Sequence, residues 1–124
     1  NIYAGPKETL QNSINLFKSV ASENGRDEKA LEITTACPPV VGLTKESVDN
    51  SLISAAKALI QPEDEIAKNW QDRSYLYGTP EDVVKTLSMW QEVGIEAVYL
   101  QLLDLEQSKR DESVEVIQKA INLL

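Results

Sequence analysis

The segment Ala97-Val98-Tyr99-Leu100-Gln101-Leu102-Leu103 constrains this chain more than any other stretch, because it is a nearly unbroken apolar run bounded by Asp104. A strand with one face in water alternates apolar and polar residues, whereas a run like this one wants cover on both faces, as in a parallel sheet packed under helices. Val98, Leu100 and Leu102 face one side; Tyr99, Gln101 and Leu103 face the other. A second candidate strand, Leu31-Glu32-Ile33-Thr34-Thr35-Ala36-Cys37, carries β-branched residues and stops at Pro38-Pro39, which cannot donate ladder hydrogen bonds. Two strands alone make a marginal sheet. The chain is therefore expected to find further strands, either upstream of Asn1 in a longer protein or in another molecule of an oligomer. The first residue, Asn1 rather than Met and set almost directly against a helix signal, points to a start inside a longer protein.

Helices alternate with these strands. From Gly5-Pro6 the residues Leu10, Ile14, Phe17 and Val20-Ala21 recur at helical spacing, with proline in the favoured first turn and Asn24-Gly25 at the stop. Thr44 caps a second helix with an inner face of Val48, Leu52, Ala55, Ala56 and Leu59, whose low bulk and serine content suit close packing. Residues 61–78 are the least regular; Ile66 and Trp70 can share a face of a brief helix, and a long connection of this kind is often a lid or binding segment. Thr79-Pro80-Glu81-Asp82 opens another helix, its hydroxyl expected to accept from first-turn amides and its carboxylates to complement the positive end of the dipole. Val83, Val84, Leu87 and Trp90 form the inner face of that helix, and Gly94 ends it. A last helix places Val114, Ile117, Ile121 and Leu124 on one side. The helix starts at Pro6 and Pro80 open two similar units of helix, glycine and strand. This grammar predicts an α/β chain with parallel strands and helices outside.

Charge and composition remove several functions. Twenty acidic and twelve basic residues leave a net charge of −8, a field that repels nucleic acid. No apolar run approaches the roughly 20 residues that cross a bilayer, and no signal peptide is apparent, so the cytoplasm is the expected location and no membrane partner is expected. With no histidine and the single Cys37, the chain offers neither a usual zinc site, a His-based triad nor an internal disulfide, and no metal is expected.

The ordered set Tyr77-Gly78-Thr79-Pro80-Glu81-Asp82-Val83-Val84, Gln91-Glu92-Val93-Gly94-Ile95-Glu96 and Val98-Tyr99-Leu100-Gln101 resembles the C-terminal signature of the luciferase-like flavin monooxygenase and deazaflavin-dependent oxidoreductase superfamily. Ser22-Glu23-Asn24-Gly25-Arg26-Asp27, the strand Leu31 to Cys37 and the turn Gly42-Leu43-Thr44-Lys45-Glu46 fit the same register, and Tyr99 to Asp104 is similar to the last strand of the deazaflavin branch. The resemblance implies a (β/α)8 TIM barrel of about 250 residues, of which residues 1–124 would supply strands seven and eight with their helices, about the last third. It implies an oxidoreductase with flavin mononucleotide or an 8-hydroxy-5-deazaflavin coenzyme and a small-molecule substrate. It also implies that the segment alone is inactive and binds neither coenzyme tightly, since the strands holding most of the phosphate and ring are missing. A reading of another class stands beside it: a small self-standing α/β interaction module that dimerises to complete its sheet.

Within the barrel reading, parity selects the residues that look inward. Val98, Leu100 and Leu102 meet the outer helices, leaving Tyr99 and Gln101 inside, where the Gln101 amide bonds either a coenzyme ring edge or neighbouring barrel side chains and water. On the other strand Thr34 and Ala36 face inward, with Thr34 a lining residue or simply packed. Asp104, at the strand end, reads as a substrate-binding group or as a solvated turn or helix cap. Cys37 reads as a buried, inert thiol, because nothing nearby in the sequence would lower its pKa. The aromatic segment Trp70 to Tyr77 either closes over a ligand or packs its loop onto the body.

Overall fold

The computed structural model describes residues 1–124. Strand β1 (Ile2–Tyr3) leads into helix α1 (Lys7–Glu23), a 3-10 turn at Glu28–Ala30, β2 (Thr34–Cys37) and β3 (Val40–Val41). Helices α2 (Lys45–Leu59) and α3 (Glu63–Asp72), strand β4 (Tyr77–Gly78), α4 (Pro80–Val93), β5 (Ala97–Leu100) and α5 (Gln107–Asn122) complete the chain. All pairing is parallel. One sheet has the order β1-β2-β5 and a second joins β3 to β4.

The two expected strands are present and adjacent, with Thr34 opposite Ala97 and Cys37 opposite Leu100. Both are shorter than the sequence suggests. Residues 28–30 wind into the 3-10 turn, capped by the Asp27 carboxylate accepting from Lys29 N–H at 3.0 Å. At the other end, β2 stops before Pro38-Pro39. Gln101 N–H still reaches the Cys37 carbonyl at 3.1 Å, and Leu102 onward has no ladder partner left. The expectation of only two strands is corrected by β1, which pairs Ile2 with Thr35 and Tyr3 with Ala36, and by β3 and β4, which pair Val40 with Tyr77 and Val41 with Gly78. Each of these three strands is two residues long, too short to show a period.

The helices cover one face of the larger sheet. Leu10 and Ile14 of α1, Val83, Leu87 and Trp90 of α4, and Val116, Ile117 and Ala120 of α5 share a core with Ile33, Cys37 and Leu76. At roughly 1.5–3 kcal/mol for each fully buried large apolar side chain, this cluster is the main source of stability. A smaller core of Val40, Ala55, Ile66 and Trp70 holds α2 and α3 to the second sheet. Trp70 Nε1 donates to the Pro38 carbonyl at 2.6 Å, and its ring meets Tyr75 edge-on at 5.4 Å. The irregular segment is thus a packed helix and turn, and its aromatics fasten it to the body.

Helix ends follow the chemistry of their residues, with one reversal. Thr44 Oγ1 accepts from Ser47 N–H at 3.2 Å, and Gly94 takes the left-handed conformation at φ 96° that ends α4 without a Cβ penalty. At α4 the carboxylate of Asp82 is the central acceptor, taking both Thr79 N–H at 3.2 Å and the Thr79 hydroxyl at 3.1 Å. Gly78 is fixed by the same contact, since its φ is 111° and a Cβ there would lie 2.6 Å from Asp82 Oδ2.

Two inner faces are also corrected. On α5 the buried residues are Ser113, Val116, Ile117 and Ala120, while Val114 and Ile121 are about half exposed. Val116, Ile117 and small Ala120 pack into the core, while Ser113 is turned towards Ser47 and Ser51 of α2. On α1 Phe17 and Val20 are exposed although Leu10, Ile14 and Ala21 are buried. Helices α1 and α5 therefore each carry apolar surface that this chain does not cover.

Candidate functional site

Register decides which side chains stand together. The row Ile2, Thr35 and Val98 points into the helix-covered core; the next row, Tyr3, Ala36 and Tyr99, points the opposite way. No helix lies over that second row: Tyr3 is 94% and Tyr99 63% exposed. One residue pair back, Thr34 lies beside Ala97, its hydroxyl donating to Asn1 Oδ1 at 3.4 Å. Gln101, two residues beyond Tyr99 and so on the same face, is exposed. The structure thus brings Tyr99 and Gln101 onto one open surface, with Thr34 on the same side but buried, and adds Tyr3, which the sequence reading missed. This face carries aromatic rings and the Gln101 amide. Such a surface stacks against a flat ring system and hydrogen-bonds its edge; it offers nothing to a phosphate.

Asp104 is separated from that group. It lies beyond the carboxyl end of β5 and is 8% exposed, so the expectation of a solvated carboxylate is corrected. Its Oδ1 is buried with no hydrogen-bond partner, and its backbone carbonyl accepts from Arg110 at 3.1 Å. The side chain lines a polar cleft between α2 and α5, whose other walls include Ser51, Lys109 and Ser113. Sequence alone gave a sign of this cleft only in the serine content of α2, which instead suggested close packing.

Cys37 is fully buried at the end of β2, with its sulfur accepting from Leu76 N–H at 3.2 Å. Burial pushes the thiol pKa up to about 12, against the smaller lowering effect of that hydrogen bond. It is a packing residue. The largest open depression, about 500 Å³, lies elsewhere, between the turn after α3 and the start of α4, beside Tyr75, Tyr77, Asp82 and Lys85. The Asp82 carboxyl is pushed up by its partial burial, but the Thr79 hydrogen bonds and the nearby Lys85 charge outweigh that and leave it below the usual range. This carboxylate is engaged in capping. No three histidine, cysteine or acidic side chains come together in a way that would hold a metal ion, and no helix is long and apolar enough to cross a membrane.

These features define a class: an α/β protein whose parallel sheet has helices on one side and an open aromatic surface on the other. No family model matches the sequence, and no curated protein matches it. Among solved structures, the fold is related to that of an F420-dependent secondary alcohol dehydrogenase in complex with an F420-acetone adduct, with a TM-score of 0.63 at 18% identity. The superposition covers 94% of this chain and 41% of that protein. The chain thus spans less than half the length of the structure it resembles.

Proposed function

We propose that residues 1–124 are the C-terminal part of a luciferase-like (β/α)8 barrel, and that the whole protein is a deazaflavin-dependent oxidoreductase acting on a small molecule. The one-sided sheet carries this reading. Three parallel strands in sequence order, with helices on one face and Tyr3, Tyr99 and Gln101 on the other, are what successive staves of a barrel look like without the opposite wall. Uncovered apolar residues on both flanks support it: Leu16, Phe17 and Val20 on α1, and Ile121 and Leu124 on α5. A groove beside the unpaired edge of β5, lined by Trp90, Ile95, Val98 and Ile121, supports it too. In this reading β1, β2 and β5 are the sixth, seventh and eighth strands, one more than the sequence suggested.

The surface fits the ring of the coenzyme and not its tail. Tyr99 would pack against a face of the ring, Gln101 would hydrogen-bond its edge, and Thr34 would line the wall beside them. When bound, the deazaflavin supplies a two-electron hydride carrier, and these residues orient it and keep water from one side. The F420 dependence of the structural neighbour supports deazaflavin over flavin mononucleotide, and hydride transfer over monooxygenation. Phosphate recognition falls to residues outside this chain, so tight coenzyme binding is a property of the complete barrel.

Fluorescence titration of F420 into the complete protein tests the proposal. Saturable binding is expected, weakened at least several-fold by Tyr99→Ala and by Gln101→Ala. If residues 1–124 alone form a discrete dimer that buries Tyr3 and Tyr99 and binds no coenzyme, the self-standing interaction module is the correct reading.

A further inference from the structure

We infer that the outward stripe of α2 is a docking surface for a second copy of this chain, whose own α2 lies against it as an antiparallel helix. This inference does not depend on the coenzyme reading. Asp49, Ile53, Ala56 and Ile60 recur at spacings of four, three and four residues, so they share one face of the helix. That face lies opposite Val48, Ser51 and Ala55, the residues that α2 buries, and so points away from the sheets that a barrel would complete. The staves that would cover Tyr99 and the free edge of β5 do not reach it.

Ile60 is the residue that calls for a partner. It ends α2 in the left-handed conformation, at φ 53° and ψ 49°, with Gln61 N–H donating to the Ala56 carbonyl at 3.1 Å. Helix α4 ends in a left-handed residue too, but there it is Gly94. A β-branched side chain is strained in this conformation and glycine is not. Ile60 is also 92% exposed, so burial within the chain gives nothing in return. Both penalties fall on one side chain, and contact with another molecule offsets them. The charges on the same stripe select that molecule. Asp49 and Lys57 are exposed, and neither has an ion-pair partner within the chain. In a two-fold antiparallel pair centred level with residues 54 and 55, Ile53 packs on the partner's Ala56, Ile60 lies beside the partner's Ile53, and Lys57 reaches the partner's Asp49. Symmetry makes each contact twice. The stripe is therefore complementary to itself in both apolar surface and charge, and small Ala56 lets the two backbones come close.

Sedimentation equilibrium of the complete protein tests this. A monomer–dimer equilibrium with a dissociation constant of about 10–100 μM is expected, because one helix pair buries less than the roughly 1,200–2,000 Å² of a stable interface. Ile60→Gly should raise that constant at least tenfold while leaving the Tm of the dilute protein equal or higher, since glycine relieves the strained helix end. Asp49→Lys and Lys57→Asp should each weaken the dimer at least threefold, and the double variant should recover it. A protein still monomeric at about 500 μM, a dimer unchanged by Ile60→Gly, a lower Tm in that variant, or a double variant no tighter than the single ones would overturn the proposal. So would a dimer weakened by Tyr99→Ala and not by Ile60→Gly, which would put the contact on the open sheet face. Coenzyme affinity is read separately by fluorescence, so failure here leaves the oxidoreductase proposal standing, and the reverse.

Discussion

The two faces of the β1-β2-β5 sheet are built from the same strands and alternate residue by residue, yet they have opposite fates. On one, Ile2, Thr35 and Val98 lie beneath three helices, and even the Thr35 hydroxyl is satisfied within the protein by donating to the Ile2 carbonyl at 2.8 Å. On the other, Tyr3 and Tyr99 stand in the open on either side of Ala36. The covered face supplies stability, and recognition is the role proposed above for the open one. An aromatic row left exposed on a sheet is a surface open to a partner.

That division breaks or holds most visibly at Trp90, which is 2% exposed on the covered side. Trp90→Ala should cost about 3–5 kcal/mol by denaturant titration. A loss below about 1 kcal/mol would mean that this core is not the chief source of stability.

The next effect is pH-dependent and arises at Cys37, on the same face. Its folded pKa of about 12 lies above that of a free thiol, so folding holds the proton while the unfolded chain gives it up. The stability involved is fully present below about pH 8.5 and declines as pH rises toward 12, by up to about 1.4 kcal/mol per pH unit. Cys37→Ala should flatten the alkaline limb of a stability profile, and the native thiol should resist iodoacetamide at pH 8. Rapid native alkylation would place the residue at the surface.

A smaller effect sharpens the contrast from outside both faces. Removing the cap acceptor with Asp82→Ala should cost about 1 kcal/mol. Because the Asp82 pKa is lowered on folding, its contribution is present above the usual carboxylate pKa and lost as pH falls through the depressed value. Acid titration of the wild type against the variant reads this difference directly. Identical acid limbs would show that the carboxylate does not hold the helix start.

The least effect on stability is expected at Tyr99. Tyr99→Ala should shift unfolding of residues 1–124 by no more than about 0.5 kcal/mol, whereas the proposed function makes the same residue a contact of the coenzyme. A large destabilisation of the isolated segment would show that the open face is covered after all.

Local chemistry alone determined a good deal of this protein. Helical periodicity, first-turn prolines, the Thr44 cap and the Gly94 stop located four of the helices, because each of these signals acts within a few residues. Alternation along Ala97–Leu103 separated Val98 and Leu100 from Tyr99 and Gln101 before any neighbour was known, since the two sides of a strand are fixed by its own backbone. The tertiary structure decided what depends on contacts between distant residues. Pairing with Thr35 and Ala36 made a strand of Ile2–Tyr3, which is too short to announce itself. Packing against α4 and the sheet made Val116, Ile117 and Ala120, rather than Val114 and Ile121, the inner face of α5. The burial of Asp104 was settled by a cleft between α2 and α5, helices some fifty residues apart in sequence, and no local pattern encodes where two such helices stop short of touching.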